Sequence, residues 1–386
     1  MDLDKMDVDN KNMLFPYINI VKENNKIWTI LVNQNVIVEG DLETGKCHIL
    51  DFFSLDPTNN SYGNWYLHKK DDLLYISFSV KRDIYIYNLK THEWKSIGVD
   101  EPDKEIGRRD VWFVTDFICR NAYWKIGTAY PGIIKFNFED EQVTYAEQWR
   151  DAVDNLIKSH KGELYFGTGQ AFRGDRVLLP LYAFAALLEL DMITLQYELH
   201  MFPEQYIGFR VLSGDEKELW IETMDGSILC VDGDWNVTGI NIPKSFSLVE
   251  QKGKKFWPPV IFDDFVLLFP AVAGKILRID RKNYEVSSHL LNEKLIKASD
   301  ESICTTDICR EENHLLFFYR GNEGNAGYCE YDASENSVYT GVMYFEDDDE
   351  IAANALRNVG DVIYEDALNT MDVYIKSIIM GKGKRL

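Results

Sequence analysis

The chain of 386 residues carries 63 acidic and 41 basic side chains, and its formal net charge is -22. A surface with this charge repels phosphate backbones and anionic lipid, so we expect neither nucleic acid nor a membrane as a partner. Hydrophobic residues make up 46% of the chain and aromatic residues 13%, which is enough to build a large core.

The N-terminal stretch MDLDKMDVDNKNMLF is acidic and has no apolar run, so it does not have the form of a secretory signal. The longest apolar candidate, Val177 to Leu190, is too short for a membrane span. The six cysteines fall mostly within predicted strands, which suits buried thiols in a reducing compartment better than a disulfide framework. We therefore expect a cytoplasmic protein, and we expect it to be monomeric.

Short strands rich in β-branched and aromatic residues recur along the chain, and Asp71 to Ile97 shows the pattern most clearly. Each unit is predicted to hold four strands, A to D. Successive copies of strand B lie roughly 41 to 55 residues apart, which is the spacing of propeller blades. Strand B is predicted to begin at Ile27, Leu74, Tyr123, Leu164, Leu219, Leu267 and Leu315.

Most predicted C strands run into an aspartate or asparagine, whose side chain can bond its own backbone two residues on and start a tight turn. Such four-stranded antiparallel sheets are marginal alone and must stack on their neighbours, so the sequence predicts an all-β fold, a single β-propeller. The turn residues are Asp41, Asn88, Asn137, Asp191, Asp232, Asp280 and Asp332.

The C-terminal segment decides the predicted number of blades. Asp361 to Ile379 can be read as a hairpin one repeat beyond Leu315 or as an amphipathic helix. The hairpin is favoured and gives eight blades in one domain over residues 1–386; the helix gives seven blades and a C-terminal appendage. The eight predicted repeats are 15–50, 64–98, 112–148, 152–200, 206–242, 257–291, 302–345 and 351–379.

Tyr87 to Trp94, YNLKTHEW, resembles the Kelch pattern, in which a tyrosine and a tryptophan flank an acidic or asparagine-led turn. The glycine pair that follows strand B in Kelch repeats is replaced here by Ser77-Phe78-Ser79, and Gly167-Thr168-Gly169 is the nearest approach elsewhere. The resemblance implies the propeller architecture over nearly the whole chain. Kelch-like propellers include both binding scaffolds and enzymes, so it leaves the function open.

In a propeller the B–C loops and the D-to-A connections share one face, and basic residues gather on the predicted face of this type. The fourth repeat has a long predicted B–C connection, Thr168 to Ala185, and long loops on a regular array are often functional. We predict a binding site for an anionic or polyhydroxylated ligand or an acidic partner surface. The alternative is that these arginines are solvated loop residues paired with local acids. The predicted site residues are Arg82, Tyr130, Phe172, Arg173, Arg176 and Arg320.

The seven histidines are scattered, so the sequence predicts no metal site, and no motif predicts a cofactor. The leading hypothesis is a non-catalytic binding or scaffold propeller for a protein partner or a small polar or anionic ligand. The alternative is an enzyme that acts on a carbohydrate or polar metabolite in the central funnel. A third interpretation is a secreted carbohydrate-binding protein. The sequence leaves open whether the chain is an enzyme, and the lack of a catalytic motif favours a protein without catalytic activity.

Overall fold

A computed structural model describes residues 18–31, 36–52, 65–79, 81–99, 113–127, 132–160, 165–243, 256–270, 275–295, 303–321 and 326–345. Over these ranges the strands form seven sheets, each built on four consecutive antiparallel strands, and the first sheet gains a fifth, parallel strand from the end of the described chain. In the described ranges the fold is therefore an all-β propeller with seven four-stranded blades, which matches the seven-blade alternative. The hairpin predicted at 351–379 for an eighth blade lies outside the described residues.

The first four blades take their strands in chain order. Blade 1 consists of β1 (Ile18–Glu23), β2 (Lys26–Leu31), β3 (Val36–Asp41) and β4 (Lys46–Phe52), and blade 2 of β5 (Trp65–Lys70), β6 (Leu73–Phe78), β7 (Ile84–Asn88) and β8 (Trp94–Ile97). Blade 3 consists of β9 (Phe113–Cys119), β10 (Ala122–Gly127), β11 (Ile133–Asn137) and β12 (Val143–Tyr145), and blade 4 of β13 (Ala171–Arg173), β14 (Arg176–Pro180), β15 (Ala186–Asp191) and β16 (Tyr197–Met201).

The remaining blades follow the same order. Blade 5 consists of β17 (Phe209–Gly214), β18 (Glu218–Thr223), β19 (Ile228–Asp232) and β20 (Val237–Ile240), and blade 6 of β21 (Val260–Ile261), β22 (Phe265–Leu268), β23 (Leu277–Asp280) and β24 (Val286–Ser288). Blade 7 consists of β25 (Ile303–Glu311), β26 (His314–Gly321), β27 (Ala326–Asp332) and β28 (Ser337–Gly341), and is followed by β29 (Tyr344–Phe345). The two helices of the described part are α1 (Arg150–His160) and α2 (Leu291–Leu295).

The second strand of a blade is the most deeply buried, because both of its faces pack against other sheets. All six residues of β10 are buried, as are all four of β22. Outer strands are more polar and more exposed, as in β20, where only Ile240 is buried. This difference explains why the second strands read as almost continuous apolar runs in the sequence.

The turn between the third and fourth strands repeats in every blade. The predicted aspartate or asparagine accepts a hydrogen bond from the backbone amide two residues later in all seven turns. A residue with positive φ follows three or four positions after it, which turns the chain back into the outer strand. These positive-φ residues are Gly45, His92, Glu141, Leu195, Trp235, Tyr284 and Asn336.

The chain divides into two compact units, and unit 1 comprises residues 1–76, 86–95 and 293–386. Within this unit β29 pairs in parallel with β4, the outer strand of blade 1. Met343 and Phe345 are buried with Ile27, Val38 and Cys47 in one apolar cluster. The hydroxyl of Tyr328 in blade 7 also donates a hydrogen bond of 3.0 Å to the carbonyl of Leu42 in blade 1. The last described strand thus completes the core of the first blade.

Unit 2 comprises residues 77–85 and 96–292 and has its own apolar core. The helix α1 occupies the start of the predicted fourth repeat and buries Val153 and Ile157, which share one helical face, with Trp149 and Phe166. This cluster continues into the strands of blades 3 and 4.

The strand assignment predicted for blade 4 is wrong. Leu164 was expected to begin strand B and Thr168 to Ala185 to form a long loop, but this stretch contains strands A and B themselves, β13 and β14. Val177, Leu178 and Leu179 are fully buried, so the run marks a central strand. The glycines and Pro180 suggested a loop because such residues are frequent in turns, but the short run Val177 to Leu179 before Pro180 is apolar, as a buried strand requires.

Strand A of blade 4 is interrupted, which explains why its signal in the sequence is weak. Phe166 pairs with Leu181 and Ala171 with Leu178, so four residues, 167–170, stand opposite only two, 179 and 180, and form a bulge. In this bulge Thr168 forms a parallel bridge to Val211 of blade 5. The bulge also reaches blade 3, because the amide of Gly169 donates a hydrogen bond of 2.7 Å to the hydroxyl of Thr115.

Candidate functional site

The six predicted site residues do not come together in the described part of the chain. Tyr130 lies outside the described residues, and Arg320 falls on β26 but its side chain is not described. Arg82 lies in the connection between β6 and β7, which is the predicted B–C position. Phe172, Arg173 and Arg176 lie on β13 and β14.

The corrected strands also move two of the arginines to the other end of their blade. Arg173 pairs with Arg176 across the turn that joins strand A to strand B. The A–B turns and the B–C loops lie at opposite ends of a sheet, so Arg173 and Arg176 do not share the predicted face with Arg82. Phe172 is half-buried and packs edge to face on Phe117, with ring centroids 5.2 Å apart, so it contributes to the core.

Arg173 and Arg176 belong instead to a charged cluster between blades 4 and 5 in unit 2. Glu189 accepts a hydrogen bond of 2.7 Å from Arg176 and makes another of 2.6 Å with Nε2 of His200. The His200 ring stacks on Trp235, with centroids 3.8 Å apart and planes 19° apart. The guanidinium carbon of Arg173 lies 5.1 Å from the same indole. We call these five residues the Trp235 cluster.

Strand pairing explains why these side chains meet. Glu189 lies opposite Glu198, and Leu187 lies opposite His200, so alternate residues of β15 and β16 share one face of the sheet. Burial raises the pKa of Glu189, but hydrogen bonds from Arg176 and His200 outweigh it, so the pKa of this carboxyl lies below its usual value. One carboxylate is therefore shared by two basic side chains.

The ligand atoms of Glu189, Glu198 and His200 lie within 4.8 Å of one another. These residues could hold a metal ion, which the scattered histidines did not predict. The available signal was Glu198-Leu199-His200, because residues two apart on a strand point to the same face. Glu189 could not be added from the sequence, since it depends on the register between β15 and β16.

Exposed apolar side chains are concentrated in blade 4 and in the connection from β16 to β17, which holds Ile207. Five large hydrophobic side chains are exposed in the described ranges, and four of them lie between residues 193 and 207. Tyr197 and Met201 stand on β16, on the face opposite to Glu198 and His200. Leu199 lies between them and packs on the core of unit 2. The four are Ile193 (63%), Tyr197 (37%), Met201 (56%) and Ile207 (65%).

A second polar cluster lies inside unit 2. The Lys125 amine on β10 donates hydrogen bonds to the carbonyls of Phe78, Lys81 and Arg82 at 3.3, 2.7 and 3.4 Å. It also lies 4.2 Å from the ring centroid of Phe113. Burial lowers the pKa of Lys125 to about 7, although the nearby carboxylates of Asp116 and Asp83 act in the opposite direction.

Asp116 completes this buried network. Its Oδ2 atom accepts a hydrogen bond of 2.7 Å from Ser77 and a second from the hydroxyl of Tyr123. A serine, a tyrosine and a lysine around a carboxylate are groups used in acid–base chemistry. Here all four side chains are buried, and the lysine is bound to the loop that follows β6. We therefore interpret the network as a link between blades 2 and 3.

The comparisons with known proteins identify a fold class and no family. The sequence matches no known protein family and no curated protein. Among solved structures, the chain resembles a puromycin hydrolase complexed with PGG (TM-score 0.56, 9% identity), and the match covers 90% of this chain and 57% of the hydrolase. The chain thus spans little more than half the length of that enzyme.

Two further solved structures are of shorter chains, and each match covers nearly the whole of that chain. YCF48 bound to D1 peptide has a TM-score of 0.54 and 12% identity, with 81% of this chain and 94% of the other covered. The β-propeller domain of Cps50 (Swd1) from Myceliophteria thermophila has a TM-score of 0.51 and 11% identity, with 83% and 98% covered. At these identities the likeness concerns the fold, and the protein is a β-propeller. No helix of the described residues is long and apolar enough to cross a membrane.

Proposed function

We propose that the chain is a binding propeller that captures a protein partner through the outer part of blade 4. The observation that carries this proposal is the concentration of exposed Ile193, Tyr197, Met201 and Ile207 in one stretch of 15 residues. Exposed apolar groups gathered in one region are typical of surfaces that bind another protein. Tyrosine and methionine are also enriched at protein interfaces.

This surface differs from the loop face predicted from the sequence. The predicted face relied on Arg173 and Arg176, which lie at the opposite end of blade 4. The ligand-binding role of Arg82, Tyr130 and Arg320 stays a prediction, as does the organisation of residues 1–386 as one domain. The peptide carried by YCF48 in the matched structure supports the general idea that a propeller of this size presents a peptide-binding surface.

The enzyme alternative gains no support from the described residues. The network of Ser77, Asp116, Tyr123 and Lys125 offers suitable groups, but all four side chains are buried. The hydrolase match carries no weight for catalysis either, because its low identity concerns the fold alone.

The test is photo-crosslinking in extract of the native cells. A photoreactive phenylalanine analogue at position 197 should capture a distinct protein, and the combined Tyr197→Ser and Met201→Ser variant should lower recovery of that protein on the immobilised chain about tenfold or more. The reason is that burying each of these side chains contributes about 1.5–3 kcal/mol, and 1.4 kcal/mol is a factor of ten in affinity.

Tyr339 provides the matched control, because it is an exposed aromatic on another outer strand, β28. The analogue at position 339 should not capture the same protein, and Tyr339→Ser should leave its recovery unchanged. Equal capture at positions 197 and 339, or equal recovery by all variants, would show that blade 4 is not the binding surface.

A further inference from the structure

The charged face of β16 carries a second feature, independent of the apolar residues on its other face. We propose that Glu189, Glu198 and His200 bind a divalent transition metal ion of the zinc type. Their ligand atoms lie within 4.8 Å of one another. All three stand on neighbouring positions of one antiparallel ladder, so the backbone holds them in place without help from a loop.

One pair of ligand atoms lies closer together than in a formed site. Zinc binds imidazole nitrogen and carboxylate oxygen at about 2.0–2.2 Å, which places tetrahedral ligand atoms about 3.3 Å apart. The present contact between Nε2 of His200 and Oε2 of Glu189 is 2.6 Å. Insertion of an ion therefore requires this pair to separate by about 0.7 Å and Glu198 to turn inward. Glu198 is exposed and has the freedom to turn.

The two carboxylates of the site supply negative charge for a divalent cation, and two arginines, Arg173 and Arg176, lie nearby. Two carboxylates converge on His200, while Arg176 is the cation paired with Glu189 and binds its Oε1 atom. Oε2 is thus the oxygen that faces the imidazole. Arg176 would keep its hydrogen bond and orient the ligating carboxylate, as outer partners commonly do in metal sites.

The imidazole ligand of His200 determines which metal ions the site favours. Carboxylates alone suit calcium and magnesium, whereas a histidine ligand suits zinc, cobalt, nickel and copper. The stack of His200 on Trp235 fixes the plane of the ring, and Nε2 is directed at Glu189. Three protein ligands with Glu198 at the solvent side leave the fourth position of a tetrahedral ion for water.

Titration calorimetry of the full chain with zinc chloride tests this proposal. We expect one saturable site, and we expect His200→Gln and Glu198→Gln to weaken it about tenfold or more. Zinc should also raise the melting temperature of the wild-type chain, because an ion that binds only the native state stabilises it.

The fluorescence of Trp235, which stacks on His200, reports on metal binding at the site itself. Cobalt(II) bound at His200 should quench the fluorescence of Trp235, and Trp235→Phe should remove this quenching while cobalt still binds in calorimetry. His314→Gln is the matched control, because His314 is exposed and lies 3.7 Å from a single carboxylate, Asp332. It should bind zinc like the wild type.

Two results would overturn the proposal. One is the absence of saturable zinc binding at millimolar concentration. The other is equal affinity in wild type, His200→Gln and Glu198→Gln, which would assign the ion to other groups such as the cysteines. Glu198→Gln keeps the test valid if His200→Gln does not fold, since Glu198 is exposed.

Discussion

Lys125 is the residue whose surroundings are least expected from the sequence. Lysine is rarely buried, yet this one is fully enclosed and satisfied by three carbonyls of the chain after β6. Its sequence context, Tyr-Trp-Lys-Ile, predicts a strand and says nothing about the partner. The carbonyls belong to residues more than 40 positions earlier, so only the packing of blade 2 on blade 3 within unit 2 reveals the link.

The lowered pKa of Lys125 predicts how stability depends on pH. The unfolded chain keeps the lysine proton up to about pH 10.5, whereas the native chain releases it near pH 7. Between these values the unfolded state binds more protons, so the free energy of unfolding should rise with pH, by up to about 1.4 kcal/mol per unit. Urea unfolding of wild type and Lys125→Met from pH 6 to pH 10 measures this difference.

The comparison with Lys125→Met separates this group from all others that titrate. The variant should be less stable than wild type, because three buried carbonyls lose their donor. The difference in free energy of unfolding between wild type and Lys125→Met should increase as the pH rises. A constant gap from pH 6 to pH 10 would mean that Lys125 keeps its proton in the native state.

The bulge in strand A of blade 4 is the element that departs most from the repeat. Gly169 has a φ of +85°, and a Cβ atom there would lie 2.2 Å from the carbonyl oxygen of Leu212. Neither the backbone conformation nor the space accepts a side chain. The glycine pattern 167–169 thus serves close approach between strands, and only the structure reveals that purpose.

Gly169→Ala should destabilise the protein by more than about 2 kcal/mol, because it combines a strained φ with a clash against backbone. Gly174→Ala is the matched control. Gly174 also has a positive φ of +57°, but nothing lies within 4 Å of the added carbon, so about 1 kcal/mol is expected. Urea unfolding compares the two variants, and equal losses would show that the approach to β17 is not tight.

Local turns were predictable in a way that the bulge was not. All seven aspartate and asparagine turns occur at the predicted residues, because an Asx side chain that bonds its own backbone is a property of a few neighbouring residues. The second strands were likewise found in six of seven blades. Blade 4 failed because its inner strand is shaped by contacts with blades 3 and 5, which no local pattern reports.

The candidate site was predicted less well than the fold. Position in a turn or strand can be inferred from spacing, but the meeting of His200, Trp235 and Arg173 depends on how two blades pack. The predicted arginine site failed for Arg173 and Arg176 because one error in strand assignment exchanged the two ends of a sheet. The exposed apolar residues of blade 4 could not be predicted either, since the sequence does not show whether an apolar residue is buried or exposed.

At the scale of the whole molecule, β29 ties the end of the described chain to its first blade. Phe345 is 3% exposed and packs in the same cluster as Val38 and Cys47. Phe345→Ala should lower the free energy of unfolding by about 3–5 kcal/mol, as expected for removal of a buried aromatic ring. Ile193→Ala, at a position 63% exposed, should change it little.

Hydrogen exchange locates the effect of the Phe345 variant. Lys46 and Cys47 pair directly with Tyr344 and Phe345, so amides of β4 should exchange faster in Phe345→Ala than in wild type. Uniform acceleration across all blades, with no excess in β4, would mean that β29 has no local role in holding blade 1.

The parallel pairing of β29 with β4 has a consequence for synthesis on the ribosome. The cluster around Ile27 and Val38 cannot close until residues 343–345 have been made, since Met343 and Phe345 belong to it. Blade 1 precedes the other described blades in the chain yet is among the last of them to be completed, and its apolar edge stays open while the sheets of unit 2 are synthesised. A nascent chain with such a long-range closure keeps apolar surface exposed until residues 343–345 can pair with β4.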